Sequence, residues 1–195
     1  MTCCEDFGEI AFTLLNKIAV RESNNKIHMK LPFAFCLLAT AGIACADQIP
    51  NRLIDYNGFK NIVVSSTKER ESKRLTEKEF IQSMSEKGTV VLDARSASKF
   101  ALRHVKGAIN LQFTDFTAET LASVIPAKTS KILIYCNNNF EGSPVAFAGK
   151  APAASLNLST YTSLRAYGYT NVFELGPLLD IHTTAIPFEG AEVHN

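Results

Sequence analysis

The chain reads as an α/β domain with a mainly parallel central sheet flanked by helices in three layers. Two observations predict this. β-Branched apolar runs, "TVVLD" (89–93) and "KILIYC" (131–136), are apolar on both parities, as central parallel strands are. Helical segments alternate with the strand-like runs, the pattern of a sheet covered on both faces.

Taken in order, Thr76 and Glu79 form a T-x-x-E capping box ahead of Phe80, Ile81 and Met84, with Gly88 as the stop. The strand at 89–93 follows, then an amphipathic turn over 98–104, a strand at 108–111 and a helix over 118–124. After the strand at 131–136 comes a long loop. Leu158, Tyr161, Leu164 and Arg165 then fall at helical spacing within 156–167, closed by Gly168. "NVFEL" (171–175) is a third strand, and 178–182 is expected to start a last helical turn. No internal repeat is present, so residues 76–190 read as one domain.

Upstream of it, "MKLPFAFCLLATAGIACADQ" (29–48) carries a lysine near its start, an uncharged run over 31–46, and small residues at Ala44 and Ala46. This is the composition of a secretory signal peptide, residues 29–46, cut after Ala46, and it predicts a periplasmic or secreted protein with no stable membrane insertion after cleavage. The run is shorter than the ~20 apolar residues a membrane span needs. A lipoprotein signal centred on Cys45 fits less well, because Gly42 stands where a large aliphatic residue is expected. Residues 1–28 read as an upstream or non-native extension with Met29 as the true start, and 47–75 as a lead-in to the domain.

Cysteines stand at 3, 4, 36, 45 and 136. Cleavage after Ala46 leaves Cys136 alone, without an internal disulfide partner. A lone thiol in an oxidising compartment is either buried and inert or kept for its reactivity. Without the four basic residues (17, 21, 26, 30) and four acidic residues (5, 6, 9, 22) upstream, 16 Lys and Arg face 15 Asp and Glu. That balance makes no electrostatic case for nucleic acid. The mixed run "KERESKR" (68–74) reads as a solvated connector. His182 and His194 have no partner spacing for a metal.

Three stretches carry a family resemblance. "VVLDARSASKFALRHVKGAINL" (90–111) resembles the rhodanese-domain pattern of strand, Asp-x-Arg, short helix and His-x-x-Gly-Ala-x-Asn. "ILIYC" resembles the strand that delivers the active cysteine of that family. "YGYTNVFELGP" (167–177) resembles its Gly-Tyr-x-Asn-Val strand. They occur in the family's order across about 76–189. With the signal peptide, the resemblance is to an exported bacterial single-domain type.

The resemblance implies a sulfurtransferase in which Cys136 is the nucleophile. It takes sulfane sulfur from a small donor, holds it as a persulfide, and passes it to a thiol or cyanide. No cofactor or metal is implied. Asp93, His104 and Gly107 are structural members of the motif, with Arg95 a secondary anion contact. The residues themselves agree with this chemistry in part. A loop leaving a strand aims amide N–H groups at one point and favours an anion. Asn137, Asn138 and Asn139 tolerate the left-handed backbone that tight loops need, and Gly142 adds a hinge. Those residues with Phe140 and Glu141 form the expected substrate-binding loop. Lys150, the only cation between Cys136 and Arg165, is the one charge available to replace a missing loop cation, although a solvated lysine is the simpler reading.

The departures are equally plain. No basic residue follows the cysteine closely, Glu141 brings the opposite charge, and 140–157 is long and broken by Pro144 and Pro152. Thiosulfate is therefore expected to be a poor donor. The related cell-cycle phosphatases close a five-residue loop with Arg, but position 142 is Gly, which argues against a phosphatase. Two other readings stand beside sulfur transfer: a rhodanese-fold protein-binding module that uses the loop insert, and a thiol redox protein, which would need an external thiol.

Overall fold

The computed structural model describes Ile49 and residues 51–193. The chain divides into two units, Met1–Ile49 and Pro50–Asn195, and the strands and helices all belong to the second among the described residues. The expected signal peptide at 29–46, the extension 1–28 and Cys45 lie outside the described residues.

Five strands form the main sheet: β1 (Arg74–Leu75), β2 (Val90–Asp93), β4 (Ile109–Asn110), β5 (Ile132–Tyr135) and β7 (Val172–Leu175). They lie in the order β1-β7-β5-β2-β4 and every pair is parallel. Parallel neighbours need crossovers, and α2 (Glu77–Met84), α3 (Ala97–Leu102), α4 (Ala118–Val124) and α5 (Leu156–Ala166) are the helices of those connections. Two short pairs lie outside the sheet: β3 (His104–Val105) runs antiparallel to β9 (Phe188–Glu189), and β6 (Phe140–Glu141) runs parallel to β8 (Leu179–Asp180).

The double-parity apolar runs have a direct explanation. Val91, Leu133 and Tyr135 enter one core with Phe80, Phe140 and Phe147, while Val90, Leu92, Ile132 and Ile134 enter the other with Leu121, Tyr161, Leu164 and Val172. Each fully buried aliphatic side chain contributes about 1.5–3 kcal/mol. The Thr76–Glu79 capping box is formed in both directions. Gly88 and Gly168, at φ +84°, turn the chain out of α2 and α5 into the next strands.

Two expectations are corrected. The segment at 178–182 is not helical: Leu179–Asp180 is β8, because Phe140–Glu141 of the long loop offers it a parallel ladder. The run 68–74 is solvated at Lys68, Glu71, Ser72 and Arg74, as expected, but it is not a connector. It completes a 17-residue helix, α1 (Tyr56–Ser72), capped by Asp55, and then enters β1. This helix packs on α5, and its Arg70 turns inward to pair with Glu174.

Candidate active site

Cys136 leaves the end of the central strand β5, 1% exposed. It is the only cysteine among the described residues and is free. Asn137–Asn139 form one 3-10 turn immediately after it. The asparagines therefore act through their side chains and not through left-handed backbone: among the described residues only glycines have positive φ. Gly142 is one of them, at φ +91°, where a Cβ would lie 2.9 Å from the Ile181 side chain.

The three asparagines do different work. Asn139, buried, accepts at Oδ1 from the Cys136 N–H (2.9 Å) and from Asn157 Nδ2 (3.0 Å), and donates from Nδ2 to the carbonyls of Leu175 (2.7 Å) and Pro177 (3.2 Å). It thus ties the cysteine to the end of β7 and the start of α5. Asn138 exchanges two hydrogen bonds with the Lys150 backbone, at 2.8 and 2.9 Å, clamping the insert to the loop. Asn137 Oδ1 is buried without a partner.

Two groups approach the sulfur. The Asn138 N–H donates to Sγ at 3.4 Å, and Ser155 Oγ lies 3.4 Å away. Ser155 is the N-cap residue of α5, yet its side chain makes no cap hydrogen bond and faces the cysteine. The positive end of an eleven-residue helix therefore begins beside Sγ. α5 starts only at Leu156 because Pro144 and Pro152 break the intervening chain, Pro152 opening a 3-10 turn.

Cys136 opens on a pocket of about 230 Å³ whose walls include Asn138, Asn139, Ser155, Arg70, Arg74 and Glu174. The last three were not expected. Cys136 has the parity of Ile134, which registers with Glu174, and Glu174 registers with Arg74 on β1. Adjacent parallel strands thus bring these side chains to one face. Glu174, 2% exposed, has Oε1 at 2.6 Å from Arg70 Nη2 and 3.2 Å from Arg74 Nε. Burial pushes its carboxyl above the usual range, against the pull of Arg70 and Arg74. One signal for this cluster was present in the sequence: a carboxylate inside a buried strand demands a counter-charge.

The other expected site residues lie elsewhere. Arg95 is not an anion contact. It is 3% exposed, its Nε lies 3.0 and 3.1 Å from the Asp93 carboxylate, and Nη1 and Nη2 donate to the carbonyls of Ala146 and Arg103, both at 2.9 Å. Asp93 also accepts from Tyr135 Oη, which accepts in turn from the Val105 N–H at 3.0 Å. Burial opposes the charge on Arg95, but the Asp93 hydrogen bonds and charge raise its pKa overall; burial and then Asp93 push the Tyr135 hydroxyl well up. This network binds the insert and the α3–β3 turn to the strand that carries the cysteine.

Phe140 is buried among Tyr135, Phe147 and Phe188. Phe140, Glu141, Gly142 and Asn137 line a separate cavity of about 340 Å³ that does not include Cys136. Lys150 borders a third, of about 470 Å³, with Arg95 and Lys99. His104 Nδ1 lies 2.8 Å from the Phe100 carbonyl and its ring stacks on Phe100, while Gly107 turns at φ +77°.

A family model, the Rhodanese-like domain, matches residues 76–176. The chain belongs to that family. Among solved structures it is similar to the rhodanese-like domain of an Anabaena sp. protein, with 21% identity, 62% of this chain and 80% of that one covered, and a TM-score of 0.43. It is also similar to a rhodanese with anions from E. coli, with 23% identity, 53% and 99% covered, and a TM-score of 0.36. A thiosulfate sulfurtransferase from Pseudomonas aeruginosa matches at 17% identity, with 62% and 20% covered and a TM-score of 0.39. No curated protein matches the chain.

Proposed function

We propose that this protein is a sulfurtransferase that carries sulfane sulfur as a persulfide on Cys136 and delivers it to a thiol or to cyanide. The observation that carries the reading is the placement of the sulfur: a free thiol at the carboxyl end of the central strand, receiving the Asn138 N–H, with the Ser155 hydroxyl and the start of α5 beside it. Both neighbours donate to a thiolate or a persulfide anion. The thiolate attacks the outer sulfur of the donor, the donor's bond to that sulfur breaks, and the leaving group departs with its electron pair. An acceptor thiolate or cyanide then attacks the outer sulfur on Cys136, and the thiolate is regenerated. Neither step requires a general base once the thiolate is populated.

The test is sulfane-sulfur transfer to cyanide and to thiols by the protein and by Cys136→Ser, with mass spectrometry of the Cys136 peptide for one added sulfur. The serine variant is expected to lose transfer and the added mass; equal activity in both forms would end the claim. Export belongs to the same proposal, with residues 29–46 as the signal peptide and the periplasm or cell exterior as the place of work. Sequencing the N-terminus of the exported protein checks it, and a mature chain that retains Thr2 or Glu5 refutes it.

A second reading, a protein-binding module with slight catalysis, draws on the exposed apolar side chains of Val145 (56%) and Leu178 (59%) beside the insert. Capture of one stable partner independently of Cys136 favours it; loss of capture in Cys136→Ser speaks against it.

A further inference from the structure

The walls of the Cys136 pocket carry both signs of charge, and four of their buried polar atoms have no hydrogen-bond partner: Arg70 Nε, Asn157 Oδ1 and the two Glu174 carboxylate oxygens, of which Oε1 has its ion pairs with Arg70 and Arg74 and Oε2 has none. Glu174 is 2% exposed, so its free oxygen has no bulk water to satisfy it. Arg70 and Arg74 hold Glu174 Oε1, and the exposed Glu71 touches both from the solvent side at 3.5 Å. A dianionic donor would meet the arginines but place like charge against Glu174 and leave Oε2 unsatisfied. A neutral donor would use neither sign. A small molecule with an ammonium and a carboxylate satisfies both: its N–H groups donate to Oε2, and its carboxylate takes the guanidinium edges that Glu71 holds weakly.

We infer that this pocket selects the hydropersulfide of an α-amino acid as sulfur donor, its ammonium received by Glu174 and its carboxylate by Arg70 and Arg74. The inference rests on the persulfide reading of Cys136. The pocket's volume of about 230 Å³ suits a ligand of that size, below the range of about 300–1,000 Å³ typical for larger organic ligands. Arg70 and Arg74 precede residues 76–176, so the carboxylate contact comes from the lead-in, while the ammonium contact, Glu174, lies within the family's own segment. The step balances: Cys136 Sγ bonds to the donor's terminal sulfur, the donor's S–S bond breaks, and the electron pair leaves on the amino-acid thiolate. The proton of the hydropersulfide stays on the transferred sulfur or passes to that thiolate.

The experiment is single-turnover loading of Cys136 in the full chain at about pH 8, followed by mass spectrometry. Four donors are compared: the hydropersulfides of cysteine, of 3-mercaptopropionate (acid only) and of cysteamine (amine only), and thiosulfate. Cysteine hydropersulfide is expected to load at least about tenfold faster than each of the others, the scale of one charge-assisted hydrogen bond. Glu174→Gln is expected to bring the cysteine and 3-mercaptopropionate rates together; persistence of the gap overturns the ammonium contact. Equal rates in the unsubstituted protein overturn the inference and leave sulfur transfer standing, whether or not the variant folds. Loading by none of the four overturns the persulfide reading itself.

Discussion

Replacing each of the three consecutive asparagines by alanine is expected to give three different proteins. Asn139→Ala strips a partner from the Cys136 N–H, the Leu175 carbonyl and Asn157 Nδ2, all inside the fold. At about 1 kcal/mol net for each, the loss is roughly 3 kcal/mol, or a fall in Tm of roughly 6–12 °C for a domain of this size. Asn138→Ala removes two hydrogen bonds to the Lys150 backbone at the surface, where water replaces them, for about 1 kcal/mol and roughly 2–4 °C. Asn137→Ala deletes an acceptor that has no partner, and its Tm is expected within roughly 2 °C of the parent. Thermal unfolding followed by circular dichroism, with sulfur transfer measured alongside, checks the order. Asn139→Ala is expected to lose most activity as well, since the loop that holds the sulfur is untied from β7. If the three variants melt together, the asparagines serve only as turn formers and the reasoning fails.

Arg95→Leu leaves Asp93 buried without its counter-charge, and a cost of about 3–5 kcal/mol is expected to lower Tm by roughly 6–20 °C; a drop under about 2 °C would show that the ion pair is dispensable. Glu174 has a folded-state pKa raised by burial, so the native state holds more protons than the unfolded chain. Stability is therefore expected to fall as pH rises from the ordinary carboxylate range through the folded pKa, and Glu174→Gln is expected to flatten that slope in denaturant midpoints. Because Cys136 is 1% exposed, its peptide is expected to alkylate with a bulky maleimide at least about tenfold more slowly in the native protein than after denaturation. Equal rates would mean that the loop opens freely.

The strands that both cores share were legible because their apolar residues serve two faces at once, and the Thr76 and Gly88 signals delimited α2 correctly. The β6–β8 ladder was not, since two-residue strands carry no periodicity and depend on a partner 39 residues away. In the site, the cysteine and its strand end could be read directly. The roles of the asparagines could not, because composition alone does not separate an asparagine that bends the backbone from one that holds four groups with its amide. The run at 68–74 misled in part, for a related reason. Mixed charge normally signals solvent, but here Arg74 lies in register with a carboxylate one strand away, a pairing that only the sheet order reveals.

The lead-in has a consequence of another kind. β1 covers the outer edge of β7 at Glu174–Leu175, and without it these residues would present free backbone donors and acceptors to any passing extended chain. A protein trimmed to the family's own limits, 76–176, would gain that sticky border and lose both cations facing Glu174. It would be prone to self-association, and the proposed choice of sulfur donor would lose its carboxylate contacts.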